Sequence, residues 1–117
     1  MKIAWILPLV ATIGVAGAAK AATWEANNLL LPAKSATGCP DHHDRYKFEL
    51  VGTTFTGHNV NGPLFVTTVA SDGAVDLNFK SPGGASLEIS GNAKTRDLEI
   101  FDSKVACRYK LVPKGRQ

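Results

Sequence analysis

From Tyr46 onward the chain reads with a period of two. Tyr46, Phe48 and Leu50 alternate with Lys47 and Glu49, the pattern of a strand with one wet face. Thr53 to Thr56 resume extended character after Gly52, and Leu64 to Ala70 form a Val-, Thr- and Phe-rich run. Val75, Leu77 and Phe79 then alternate with Asp76, Asn78 and Lys80. Leu87 and Ile89 alternate with Ser86, Glu88 and Ser90. Leu98 and Ile100 alternate with Asp97, Glu99 and Phe101, and Cys107, Tyr109 and Leu111 with Arg108 and Lys110. Turn residues separate these runs: His58 to Pro63, Ser71-Asp72-Gly73, Ser81-Pro82-Gly83-Gly84, Gly91-Asn92 and Asp102-Ser103-Lys104. The spacing predicts about six or seven strands and no helix after Ala22. Such short turns favour an antiparallel meander. Closing it into a small barrel or sandwich buries its apolar face and protects its edges. Val75, Leu77, Phe79, Leu87, Ile89, Leu98 and Ile100 are expected to share that core with Phe48 and Tyr109.

The first 22 residues follow a different rule. Lys2 precedes an uncharged apolar run from Ile3 to Ala19, and Ala19-Lys20-Ala21 has the A-x-A form of a cleavage site. Residues 1–22 read as a helical signal peptide cleaved after Ala21 or Ala22. The run carries Pro8, Gly14 and Gly17 and is short for a membrane span. No second run of spanning length follows, so no membrane span is expected after cleavage. The whole chain has 117 residues, 13 Lys and Arg, 10 Asp and Glu, and a net charge of +3. Two lysines and no acid fall in the leader, so the remaining 95 residues carry +1. The basicity is therefore no argument for nucleic acid. The expected location is periplasmic or secreted.

Residues 23–38 read as an irregular N-terminal segment, because Leu29-Leu30-Leu31 is a clump ended by Pro32. Residues 39–112 read as the β-domain and 113–117 as a frayed tail. Cys39 and Cys107 are the only two cysteines, and an oxidising compartment pairs them as a staple. Closing a loop of that length is worth about 4 kcal/mol in the chain-entropy treatment. The bridge is expected to pin the first strand beside the last.

The layout also resembles a group of small secreted β-rich proteins of alpha-proteobacteria, whose function is uncharacterised. The likeness rests on Gly38-Cys39, Tyr46 and Phe48, Asp72-Gly73-Ala74-Val75, Gly83-Gly84 with Gly91, and Cys107-Arg108-Tyr109. It covers residues 38–112, implies the fold and export, and carries over no active site. The stretch Cys39-Pro40-Asp41-His42-His43-Asp44 departs from the group.

Asp41, His42 and His43, with His58, have metal-ligating chemistry. Adjacent histidines of an extended segment point opposite ways, however, so a solvated turn is the simpler reading and no metal or cofactor is expected. There is no G-x-S-x-G signature, no Walker spacing and no C-x-x-C. Asp97, Glu99 and Asp102 read as the outward carboxylates of a solvated strand. Phe55 and Phe101 fall out of phase with their neighbours and are candidates for an exposed patch. Arg45, Lys47, Arg108 and Lys110 form a basic stripe if the strands bearing them pair.

No catalytic residue is assigned, and the chain reads as a non-enzyme. The expected function is an exported, non-catalytic binding or interaction module of the bacterial envelope, a monomer with a protein or glycan ligand. The alternative is a secreted inhibitor of a protease or lysozyme, with His58 to Pro63 as its protruding loop. The lysozyme-inhibitor motif of Ser-Gly followed by Tyr is not met, since Asn92, Ala93 and Lys94 follow Ser90-Gly91. An enzyme of unknown class is the third reading.

Overall fold

The structure is a computed structural model that describes residues 21–41 and 44–115. The apolar leader run, His42, His43 and the last two residues lie outside the described residues. Eight antiparallel strands make one sheet: β1 (Ala21–Leu30), β2 (Arg45–Val51), β3 (Thr54–Asn59), β4 (Gly62–Thr68), β5 (Ala74–Lys80), β6 (Ser86–Asn92), β7 (Asp97–Asp102) and β8 (Cys107–Pro113). One 3₁₀ turn, Pro32–Lys34, follows β1. The order is β4-β3-β2-β1-β8-β7-β6-β5, so two four-stranded meanders join where the first strand pairs with the last. The result is a nearly closed barrel rather than a sandwich.

The strand count differs from the sequence expectation because of β1. Residues 23–38 are not irregular throughout: Ala21–Leu30 is the longest strand. Its buried residues are Trp24, Ala26 and Asn28, in strict alternation with Glu25 and Asn27. An alanine and an asparagine on the inner face, with Leu29 half-exposed on the outer one, hide that period. The tail is likewise not frayed at its start. Pro113 is buried opposite Ala26, and the Lys114 amide donates to the Glu25 carbonyl at 2.8 Å. Gly91-Asn92 is not a turn but the end of β6. Gly91 has φ +126°, and a Cβ there would collide with the Asp97 carbonyl oxygen. Glycine is required because β7 crosses so closely.

An eight-stranded barrel has an interior that side chains fill. Phe48, Phe55, Ile89, Leu98 and Leu111 are fully buried there, with Trp24, Phe65, Val75 and Ile100 around them. Leu77, Phe79 and Leu87 pack against this core from partly buried positions. Ring centroids run 5.5 Å from Trp24 to Phe48, 5.5 Å from Phe48 to Phe55 and 5.3 Å from Phe55 to Phe65. These are the offset and tilted contacts that aromatic quadrupoles favour. The seam of the barrel falls between β4 and β5, which are neighbours in sequence yet not hydrogen-bonded to each other. The Phe65 and Phe79 rings, 5.0 Å apart, close it with side chains.

Cys39 and Cys107 form the disulfide. It does not join the first strand to the last. The β1–β8 ladder does that, and the bridge instead fastens the long loop between β1 and β2 to the start of β8. The same loop is tied down before the bridge, where Ser35 Oγ accepts from the Arg108 amide at 2.7 Å and the Ala36 amide donates to the Ala106 carbonyl at 2.8 Å.

Candidate functional site

Up-and-down connectivity sends alternate connections to opposite ends of the barrel. The turns at 52–53, 69–73 and 93–96 gather at one end, with Ala21. There Arg96 lies over the Trp24 ring, 4.9 Å from its centroid. The long loop at 31–44 and the connections at 60–61, 81–85 and 103–106 gather at the other end. A cavity of about 220 Å³ opens at this second end.

The lining of this mouth follows from strand phase. Asn28 continues the inward series of Trp24 and Ala26, Tyr46 that of Phe48, and Asn59 that of Phe55 and Gly57. Leu87 lies opposite Asp102, and Ile89 opposite Ile100, so Asp102 shares the inner face of Leu98 and Ile100. Asp44, Pro40 and Val105 add loop residues, and Leu87, Ile100 and Ala85 supply an apolar wall. Inner positions that are aromatic or aliphatic through the barrel therefore become Asn, Tyr and Asp at this end. Sequence reasoning put Asp102 on the outer face with Asp97 and Glu99. Its even spacing from Leu98 and Ile100 was the signal for the inner face.

The mouth is held by hydrogen bonds. Asn28, 3% exposed, accepts from the Asp44 amide through Oδ1 at 2.7 Å, which offsets the cost of burying an amide. The Tyr109 hydroxyl donates to the Pro40 carbonyl at 2.9 Å, fixing the loop beside the disulfide. Asp102 accepts from the Lys104 amide at 3.1 Å. Burial, then the carboxylate of Asp44, pushes the Tyr46 phenol well above its ordinary value. Tyr109 is raised by burial and by Asp102, Asp44 and Asp41. Both phenols therefore sit in a field that disfavours further negative charge. Among the described residues, no Lys, Arg or His lines the cavity.

The residues singled out from the sequence fall elsewhere. Phe55 is not exposed. It is fully buried between Phe48 and Phe65, because the strand restarts after Gly52 and shifts its phase relative to Leu50. Phe101 is on the outer face, with the Arg108 guanidinium 4.5 Å from its ring centroid. The basic stripe does not form, because β1 lies between β2 and β8 and keeps Arg45 and Lys47 apart from Arg108 and Lys110. Arg108 pairs with Glu99 at 3.5 Å and Lys110 with Asp97, so carboxylates of β7 face both cations. His58 is half-buried on β3 opposite Lys47, and Asp41 lies exposed in the loop over the mouth. Among the described residues no three of His, Cys, Asp and Glu come together as metal ligands. The Asp41 partners His42 and His43 lie outside the described residues. No helix of the described residues is long and apolar enough to cross a membrane. No family model, curated protein or solved structure matches the chain.

Proposed function

We propose that the protein is an exported, non-catalytic binding module whose ligand enters the open mouth of the barrel. The observation that carries this reading is the change of lining along the barrel interior. Aromatic and aliphatic side chains give way to Asn28, Tyr46, Asn59, Asp102 and Tyr109 around a cavity of about 220 Å³. A chain that needed a stable barrel and nothing more would continue the apolar filling. Polar groups converging on a partly apolar hollow are the usual make-up of a small-ligand site. Export is supported by the layout of residues 1–22 and by the disulfide, which oxidising compartments sustain. Cleavage after Ala21 leaves every buried residue of β1 in the mature chain.

A hydrolase inhibitor is the second reading. It is favoured by the β3–β4 hairpin, whose tip residue Val60 is 78% exposed while Asn59 Oδ1 holds the Asn61 amide at 2.8 Å.

A fragment mixture of neutral, cationic and anionic small molecules, followed by two-dimensional NMR of the oxidised protein, separates these readings. Perturbations are expected at Tyr46, Asn59 and Tyr109. Shifts confined to outer strand faces, or no shifts, would overturn the mouth as ligand site. Inhibition of a protease or lysozyme that is lost in Val60→Asp would favour the second reading. Mass analysis of protein recovered from the envelope is expected to show a chain starting at Ala22 or Thr23. A chain retaining the apolar run would overturn export by cleavage.

A further inference from the structure

Two dipeptides of the chain, Asn61-Gly62 and Asp72-Gly73, carry the same latent chemistry. The side-chain carbonyl carbon of Asn or Asp lies within reach of the next backbone nitrogen. A following glycine has no Cβ to hinder the five-membered ring that results. Both dipeptides fall where one strand turns into the next, and the fold treats them differently. At Asp72-Gly73 the nucleophile is occupied, because the Gly73 amide donates to the Ala70 carbonyl at 2.8 Å. The Asp72 carboxylate is held as well, its Oδ1 accepting from the Ala74 amide at 3.0 Å. The space is also closed, since a Cβ at Gly73 would collide with Asn92 and Lys94.

At Asn61-Gly62 these restraints are missing. Asn61 is exposed at the tip of the β3–β4 hairpin, next to Val60. Its backbone amide donates to Asn59 Oδ1 at 2.8 Å, whereas its side chain has no hydrogen-bond partner among the described residues. A Cβ at Gly62 would meet no atom within 4 Å. Gly62 pairs with Asn59 as the last pair of the ladder, and terminal pairs open at the least cost in free energy.

We propose that Asn61-Gly62 is a site of spontaneous covalent modification, deamidation through a succinimide, which the fold leaves open while it shuts the equivalent chemistry at Asp72-Gly73. Asn is among the chemically labile residues of proteins. The Gly62 nitrogen gives up its proton to solvent base and attacks Cγ of Asn61. A C–N bond forms, the Cγ–Nδ2 bond breaks, and the amide nitrogen takes a proton from solvent and leaves as ammonia. Water then adds to either ring carbonyl and opens the ring, giving aspartate or isoaspartate at position 61. Water is the only co-reactant consumed. Either product adds one negative charge, and isoaspartate also lengthens the backbone by one carbon at the turn. Residues 23–117 carry +1, so the product is neutral overall. The new charge appears at the tip, where Val60 borders a surface hollow lined by Arg45 and Lys47. None of this depends on the mouth as ligand site.

The oxidised chain, and the same chain reduced, alkylated and unfolded in guanidinium, are aged side by side in warm, mildly alkaline buffer. Peptide mapping by mass spectrometry follows aspartate and isoaspartate at each Asn and Asp. In the folded chain position 61 is expected to react ahead of every other Asn, and an acidic species to grow on ion exchange. Folding is expected to slow the reaction at Asp72 at least about tenfold more than at Asn61. Asn61→Gln, whose longer side chain must close a less favourable six-membered ring, is expected to remove the acidic species. If Asn61→Gln does not fold, Asn61→Ser gives the same reading. Modification led by another Asn, no reaction at Asn61 in the folded chain, equal slowing of the two sites, or an acidic species that persists in Asn61→Gln would overturn the proposal.

Discussion

The two ends of the barrel are built from the same eight strands but hold together by different physics. At the end near the 93–96 turn, Trp24 continues the aromatic packing of Phe48 and Phe55, and Arg96 lies across its ring. At the mouth, the same inner faces carry Asn28, Tyr46, Asn59 and Asp102, and order comes from hydrogen bonds and a covalent bridge. Apolar packing is non-directional and stabilises in proportion to the area removed from water. Hydrogen-bonded polar groups add little net stability, yet they fix geometry. The interior therefore stabilises the fold, and the mouth keeps polar groups pointed at a hollow. That division is the ground for proposing a ligand at the mouth.

The sharpest way to break the comparison is to damage one end and watch the other. Phe55→Ala removes a fully buried ring that touches Trp24, Phe48 and Phe65. It is expected to cost about 3–5 kcal/mol in chemical denaturation. The same substitution at a mouth position, Asn59→Ala, is expected to cost much less. Comparable losses would mean that the mouth is part of the load-carrying core.

Removing the bridge by Cys39→Ser with Cys107→Ser comes next, at about 2–4 kcal/mol, with the long loop placing it at the top of that range. Here the location of the damage matters as much as its size. Amide exchange is expected to rise in the loop at 35–44 and at Tyr109, with the β6–β7 ladder near Ile89 opening last. Uniform loss of protection would show that the bridge holds the whole barrel and not its mouth.

The smallest effect is alkaline. Unfolded tyrosine loses its proton near 10.0, whereas Tyr46 and Tyr109 hold theirs to higher pH in the fold. The unfolded chain then binds fewer protons than the native one, so stability falls as pH rises above about 10. Tyr46→Phe is expected to flatten that fall while leaving stability at pH 7 within about 1 kcal/mol. A slope unchanged in the variant would place the titrating groups elsewhere.

Much of the fold was legible in the sequence for a simple reason. Period-two alternation reports which face of a strand is buried, and Gly, Pro and Asn report where the chain turns. Val75, Ile89, Leu98 and Ile100 take the inner positions that alternation assigns. β1 escaped notice because its inner face mixes Trp24 with Ala26 and Asn28, so its hydrophobic contrast is weak. Phe55 was misplaced because one glycine break shifts strand phase, and a shift of one residue exchanges the two faces.

The candidate site was less legible. Its polar residues occupy inner positions, where a sequence reader expects apolar ones, and they come from strands far apart in the chain. Asp102 and Tyr109 could have been matched by phase. That Asn28, Asp44 and Asn59 join them at one end depends on which strand pairs with which.

By itself the sequence determined seven of the eight strands, most of the turns between them, the single cysteine pairing open to an oxidised chain and the split between apolar first residues and a near-neutral remainder. These are local or compositional properties, set by side-chain alternation and backbone preference. The tertiary structure decided that β1 separates β2 from β8, which dispersed the basic stripe and paired Arg108 and Lys110 with carboxylates of β7. It also decided that the bridge fastens a loop over the mouth, and that the seam falls between β4 and β5. Strand order is a long-range choice, settled by which faces can be buried together, and the polar mouth exists only once that choice has been made.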